Sequence, residues 1–134
     1  MRQNSISFHL LAICILLCPN GLFLKSAAQS IGGEIRDIEG NNYKTVIIGN
    51  QEWMATNLKT TKFNDGEIIS NVTGDTEWSR LSTPAFSWYK NDISNKDTYG
   101  ALYNWHAVNN GKLCPVGWHV PSDDEWAMLV NFLG

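Results

Sequence analysis

Cysteine and histidine are scarce in this chain, three of each in 134 residues. A zinc centre needs three or four such ligands at short, characteristic spacings. Cys14, Cys18 and Cys114 show no such spacing. Beyond residue 28 only His106, Cys114 and His119 remain, on separate expected elements. The plainer reading is one buried thiol and two hydrogen-bonded histidines, so no metal is expected. A nucleophilic Cys114 would need a base and an orienting partner, and neither is evident. No catalytic motif, internal repeat or low-complexity linker occurs. No catalytic or cofactor-binding residue is therefore assigned, no cofactor is expected, and the ligand-binding residues are left unknown.

Positive charge is also in short supply. With Arg2 and Lys25 set aside, eight basic residues face thirteen acidic ones, a net charge near −5. Nucleic acids and anionic membrane surfaces reward basic patches, so neither is an expected partner. Uninterrupted apolar runs are short as well. Leu10 to Leu17 is apolar and extends to Leu24, but Pro19-Asn20-Gly21 breaks it. That falls short of the ~20 residues a membrane span needs. A positive start at Arg2, this apolar core and small residues at Ser26 to Ala28 have the layout of a secretory signal peptide. Residues 1–28 are read as the leader, cut after Ala28, and residues 29–134 as one small domain with no membrane span. Acylation of Cys14 or Cys18 is the lesser alternative, because bulky Ile13 and Leu17 precede them. In an oxidising compartment the remaining Cys114 implies a partner elsewhere, a missing partner or a buried thiol.

Aromatic residues are what the domain has in quantity. All six tryptophans lie beyond residue 28, and large rings bury much area in a fold with few regular elements. Glu34 to Ile38 reads as a short strand, Glu39 to Asn42 as a turn and Tyr43 to Ile48 as the return strand. Gly49-Asn50 is a second turn and Gln51 to Met54 a third strand, giving an antiparallel meander. Asn64-Asp65-Gly66 is a further turn. Ile68 and Ile69 are candidates for an edge strand. Asn71-Val72-Thr73 matches a glycosylation sequon, with a turn residue as the plainer reading. Pro84 to Tyr89 reads as a strand with Phe86 and Trp88 on one face, and Lys90 to Asp97 as a polar surface loop. Tyr99 to Val108 has Leu102, Trp105 and His106 at helical spacing and is expected to be a helix ended by Asn109-Asn110-Gly111.

The clearest element comes last. Pro121 holds Val120 extended, Ser122 is an N-cap, and Glu125 completes a capping box. Asp123, Asp124 and Glu125 put negative charge at the positive end of the helix dipole. As calcium ligands their spacing fits poorly; capping fits better. Trp126, Leu129, Val130 and Leu133 form an apolar stripe, with Gly134 at the C′ position. That stripe is expected to need a covering layer from sequence beyond Gly134.

From Ile35 to Gly134 the order of motifs resembles the Fibrobacter succinogenes major paralogous domain, a family abundant in secreted proteins of Bacteroidetes and Fibrobacter. The matching stretches are Asp37 to Gly40, Tyr43 to Val46, Ile48 to Met54, Asn57 to Thr60, Phe63 to Gly66, Trp88 to Asp92, Tyr99 to Trp105 and Cys114 to Asp123. The resemblance implies an α+β fold of short antiparallel strands and two helices, related to the formylglycine-generating-enzyme and C-type-lectin-like group. It also implies that the chain is the N-terminal part of such a domain. Relatives carry a cysteine where Ser87 stands, able to pair with the one at Cys114; here that bridge cannot form. Trp88 to Asp92 is the nearest thing to a lectin-type calcium motif, without its Trp-Asn-Asp order. The leading expectation is a secreted or surface-exposed, non-enzymatic module that binds a glycan or a cell-surface protein. The alternatives are an enzyme of the formylglycine-generating type with its site in the missing half, and a non-functional fragment.

Overall fold

A computed structural model describes residues 10–11, 14–17 and 30–134. Cys18 and the expected cleavage region at Ser26 to Ala28 lie outside the described residues. The strands are β1 (Leu10–Leu11), β2 (Ile15–Leu17), β3 (Ser30–Arg36), β4 (Asn42–Ile48), β5 (Gln51–Met54), β6 (Ser70–Asn71), β7 (Ala85–Trp88) and β8 (Ala101–Tyr103). The helices are α1 (Asp75–Trp78), α2 (Lys96–Tyr99), α3 (Trp105–Val108) and α4 (Asp123–Leu133). This is the expected α+β class, in two small sheets. One has the order β2-β5-β4-β3 and is antiparallel throughout. The other has the order β1-β8-β7-β6, with only the β6–β7 pair parallel.

The meander β3-β4-β5 forms as its β-branched runs and turn residues dictate. The β3–β4 turn is tied by Asp37, whose carboxylate accepts from the backbone N–H of Glu39 and Asn41, the Asn41 amide and the Tyr43 hydroxyl. The Tyr43 hydroxyl in turn accepts from the Lys59 N–H at 3.1 Å. Burial, with the Asp37 hydrogen bond next, pushes the Tyr43 phenol far above its ordinary range.

The larger core joins Cys14, Tyr43, Met54, Leu58, Phe63, Ile69, Phe86, Trp88, Tyr103, Leu113 and Cys114, with smaller residues between them. A second cluster, Ile15, Ile48 and Trp53 with Val46 and Leu129, lies where α4 covers the meander. Each large apolar side chain so buried contributes about 1.5–3 kcal/mol.

Three expectations are corrected here. Tyr99 to Val108 is not one helix. Gly100, at φ 70° and ψ −162°, breaks it into the end of α2, the strand β8 and the single turn α3. Packing overrides the local stripe: Ala101 and Tyr103 are buried in strand alternation, while Trp105 is 61 % exposed. Asn104 fixes the new boundary, accepting from the N–H of Ala85 and Ala107 and donating to the Thr83 carbonyl. Second, Asn71 is no turn residue; it pairs with Phe86 inside β6. Ile68 makes only a bridge to Lys62. Third, Cys114 has a partner. It is bonded to Cys14, inside the segment read as a leader. Ser87 lies buried in β7.

Helix α4 forms with the expected cap. Ser122 accepts from the Glu125 N–H, and the Glu125 carboxylate accepts from the Ser122 N–H at 2.7 Å. The same carboxylate meets the Ser122 hydroxyl at 2.9 Å and His119 Nε2 at 2.7 Å. Burial alone would raise the Glu125 carboxyl, but these hydrogen bonds outweigh it and hold it below the ordinary 4.5. A carboxyl lowered by folding stabilises above its unfolded value and loses that contribution as pH falls below about 4.5. Glu125→Gln should therefore cost about 1–2 kcal/mol at pH 7. The gap from wild type should close as pH falls toward 3, read by thermal melts across that range. A pH-independent gap would show that the charge is not what matters.

Candidate functional site

The chain between β7 and β8 folds back on itself. Trp88 leads into a 3-10 turn over Tyr89–Asn91, in which Lys90 (φ 55°) and Asn91 (φ 56°) both take left-handed backbone. Non-glycine residues there cost about 1–2 kcal/mol each, less for asparagine. The surroundings hold them in place. The Asn91 amide donates to the Thr73 carbonyl and the Asn95 amide to the Tyr89 carbonyl, both at 3.0 Å. Asp92 caps the next turn by accepting from the Ser94 N–H, and that bond lowers its carboxyl pKa. Helix α2 then returns the chain, so that the rings of Tyr89 and Tyr99 lie 4.7 Å apart at 47°.

Both rings face solvent, at 40 % and 42 % exposure. Lys90 Nζ stands 5.5 Å from the Tyr89 ring centre, and Lys96 Nζ 5.9 Å from that of Trp88 beneath. Beside Tyr99 is a polar hollow of about 230 Å³, lined by Met54, Ala55, Thr56, Asn57, Asp97, Thr98 and Gly100. The Asn57 amide holds the Tyr99 carbonyl at 3.0 Å, and Lys59 Nζ meets Asp97 at 2.6 Å. The Lys59 hydrogen bond holds the Asp97 carboxyl below its ordinary range. Two solvent-facing rings on a fixed loop thus lie next to amide, hydroxyl and carboxylate groups, which brings apolar stacking faces and hydrogen-bonding groups together on one surface.

The other sequence candidates are placed as follows. The sulfur of Cys114 is in the disulfide. His106 lies on the exposed side of α3, and His119 engages Glu125. Asp123 and Asp124 are exposed on the first turn of α4. Among the described residues no group of three or more His, Cys, Asp or Glu could hold a metal ion. A larger hollow of about 620 Å³ lies over the glycine bulge at Gly32-Gly33, but no aromatic ring lines it. The tyrosine pair was missed in the sequence because Lys90 to Asp97 reads as an ordinary polar loop. The available signal was the aromatic residue at each end of it.

One comparison bears on this loop and on most of the chain around it. The model of the Fibrobacter succinogenes major domain matches residues 46–134. The chain belongs to that family. The loop, both tyrosines, Cys114 and α4 all fall within the matched stretch of the Fibrobacter succinogenes major domain, while β1, β2 and β3 precede it. No curated protein and no solved structure matches the chain. Among the described residues no helix is long and apolar enough to cross a membrane.

Proposed function

We propose that this protein is a non-enzymatic, surface-exposed module that binds a glycan through Tyr89 and Tyr99. Export by a leader over residues 1–28 and a C-type-lectin-like arrangement of the domain belong to the same reading. The observation that carries it is the exposed tyrosine pair, fixed by a loop with two consecutive left-handed residues and set beside a polar hollow. Backbone held in sparsely populated conformations gathers at binding sites. Tyrosine gives a rigid, amphipathic contact with only two rotatable bonds to immobilise. A pyranose presents apolar C–H faces to such rings and hydroxyls to groups like Asn57, Thr98 and Asp97. The acidic net charge favours neutral over anionic sugars.

A glycan array probed with the full chain should retain a subset of neutral glycans. Tyr99→Ala should weaken that retention about five- to tenfold, the order of one lost stacking contact of about 1–1.4 kcal/mol. Tyr99 is 42 % exposed, so its truncation should leave the melting temperature within a few degrees. Equal retention by wild type and variant would remove the tyrosine pair from the account.

A further inference from the structure

Two stretches near the N-terminus add backbone to both sheets. Leu10 and Leu11 pair with Tyr103 and Leu102 at the edge of β8. Ile15, Leu16 and Leu17 pair with Trp53, Glu52 and Gln51 at the edge of β5. The Met54 N–H donates to the Cys14 carbonyl at 3.1 Å, and Ile15 exchanges two backbone hydrogen bonds with His119, at 2.8 and 3.1 Å. Cys14 is bonded to Cys114. Both half-cystines are buried in one core with Met54, Leu58 and Tyr103.

The same neighbours are the footing of the tyrosine site. Met54 and Gly100 both line the polar hollow beside Tyr99. Strand β8 begins immediately after Gly100. The Ala101 N–H donates to the Leu58 carbonyl at 2.9 Å, and the adjacent Asn57 holds the Tyr99 carbonyl. The N-terminal segment therefore braces the hollow twice, at Met54 through Cys14 and at β8 through Leu10 and Leu11. Pairing at two short edges opens readily by itself. A covalent tie to Cys114 keeps the segment at high effective concentration, so that it reseats each time it lifts. The tie joins residue 14 to residue 114, so a cut after Ala28 leaves the segment attached.

We infer that the Cys14–Cys114 bond is a redox clasp on the tyrosine site. Oxidised, it keeps the segment seated and holds Met54 and β8, and with them Tyr99 and the hollow, in the geometry that meets a glycan. Reduced, the segment lifts, both edges lose a neighbour and the site loosens. The reductant is a dithiol. One of its sulfurs attacks the bond to give a mixed disulfide, and its second sulfur then closes on the first. Two electrons and two protons pass from the dithiol, which becomes a cyclic disulfide, to Cys14 and Cys114, which become thiols. The effect on binding rests on the glycan reading given above; the clasp itself rests on the bond and the hydrogen bonds around it.

The test compares the full chain oxidised and fully reduced with dithiothreitol, carrying Cys18→Ser in both samples so that only the Cys14–Cys114 bond can form. Thiol alkylation read by mass confirms each state. Amide hydrogen exchange is then followed residue by residue, and retention is measured on the glycan array. Reduction should speed exchange about tenfold at Met54, His119 and Ala101 and weaken retention about tenfold, as when the competent fraction falls to a tenth. Gly40 and Asn41, held by Asp37 in the β3–β4 turn, should change little. Cys14→Ser without reductant should reproduce the reduced pattern. Unchanged exchange at Met54 and Ala101 would overturn the clasp. So would a uniform rise that includes Gly40 and Asn41, because the bond would then hold the whole fold and not the site. Faster exchange with equal retention in both states would overturn the coupling to binding. If the oxidised chain retains no glycan, the glycan reading fails, and with it the effect on binding, while the exchange pattern still decides the clasp.

Discussion

Cys114→Ser in the full, oxidised chain is expected to lower the unfolding free energy by about 4 kcal/mol, a large share of the roughly 5–15 kcal/mol that holds a domain folded. The bond joins residues 100 apart in sequence. Closing a loop of that length removes enough freedom from the unfolded chain to contribute up to about 4.7 kcal/mol in the chain-entropy description. Both half-cystines are core residues, so the variant also leaves Cys14 as an unpaired buried thiol. Urea unfolding of wild type against variant reads the difference directly. Cys14→Ser should give nearly the same loss, and the double variant little more, because both changes remove one interaction. A loss below about 1 kcal/mol would mean that the bond contributes nothing to the fold in solution.

Gly100→Ala is expected to cost about 4 kcal/mol, for two reasons that add. At φ 70° and ψ −162°, Gly100 lies in a region essentially closed to other residues, at about 1–3 kcal/mol. A Cβ there would also stand 2.6 Å from the Leu58 carbonyl oxygen and 2.7 Å from the Asn57 Cβ, so backbone must move. The neighbours cannot move freely. Leu58 O accepts from the Ala101 N–H at 2.9 Å, and Asn57 holds the Tyr99 carbonyl. The strain should therefore reach Tyr99 and weaken glycan retention as well. Gly111→Ala isolates the backbone share, because Gly111 has φ 77° but open space around its would-be Cβ. Its cost should be about 1–2 kcal/mol. Equal melting-temperature shifts for the two variants would show that the close approach at Leu58 is absent in solution.

What the sequence could reveal followed from how local each signal was. The capping box of α4 lies within four residues, and Ser122 and Glu125 meet as read. The β4–β5 hairpin was equally legible, since a β-branched run, Gly49-Asn50 and Gln51–Met54 specify it without outside help. Tyr99 to Val108 misled because Leu102, Trp105 and His106 fall at helical spacing by coincidence. The break depends on Leu58 and Asn57, far away in sequence. The partner of Cys114 had no local signal at all. It lies in a segment whose composition points to export, yet its backbone completes both sheets. The stripe on α4 was seen but only partly covered: Leu129 packs on the meander and Trp126 lies 4.8 Å from Trp53, while Val130 is 62 % and Leu133 55 % exposed. The tyrosine pair escaped notice because its two members meet only after the loop has closed.

The central claim is that Tyr89 and Tyr99 form the face that meets a glycan. Its most direct test is a nuclear magnetic resonance titration of the isotopically labelled full chain with the glycan it retains best on the array. Saturable shifts are expected at the rings of Tyr89 and Tyr99 and at the backbone amides of Asp97 and Thr98. Little change is expected on α4 or at Ser30 to Glu34. Shifts confined to those other surfaces, or no retained glycan at all, would contradict the claim.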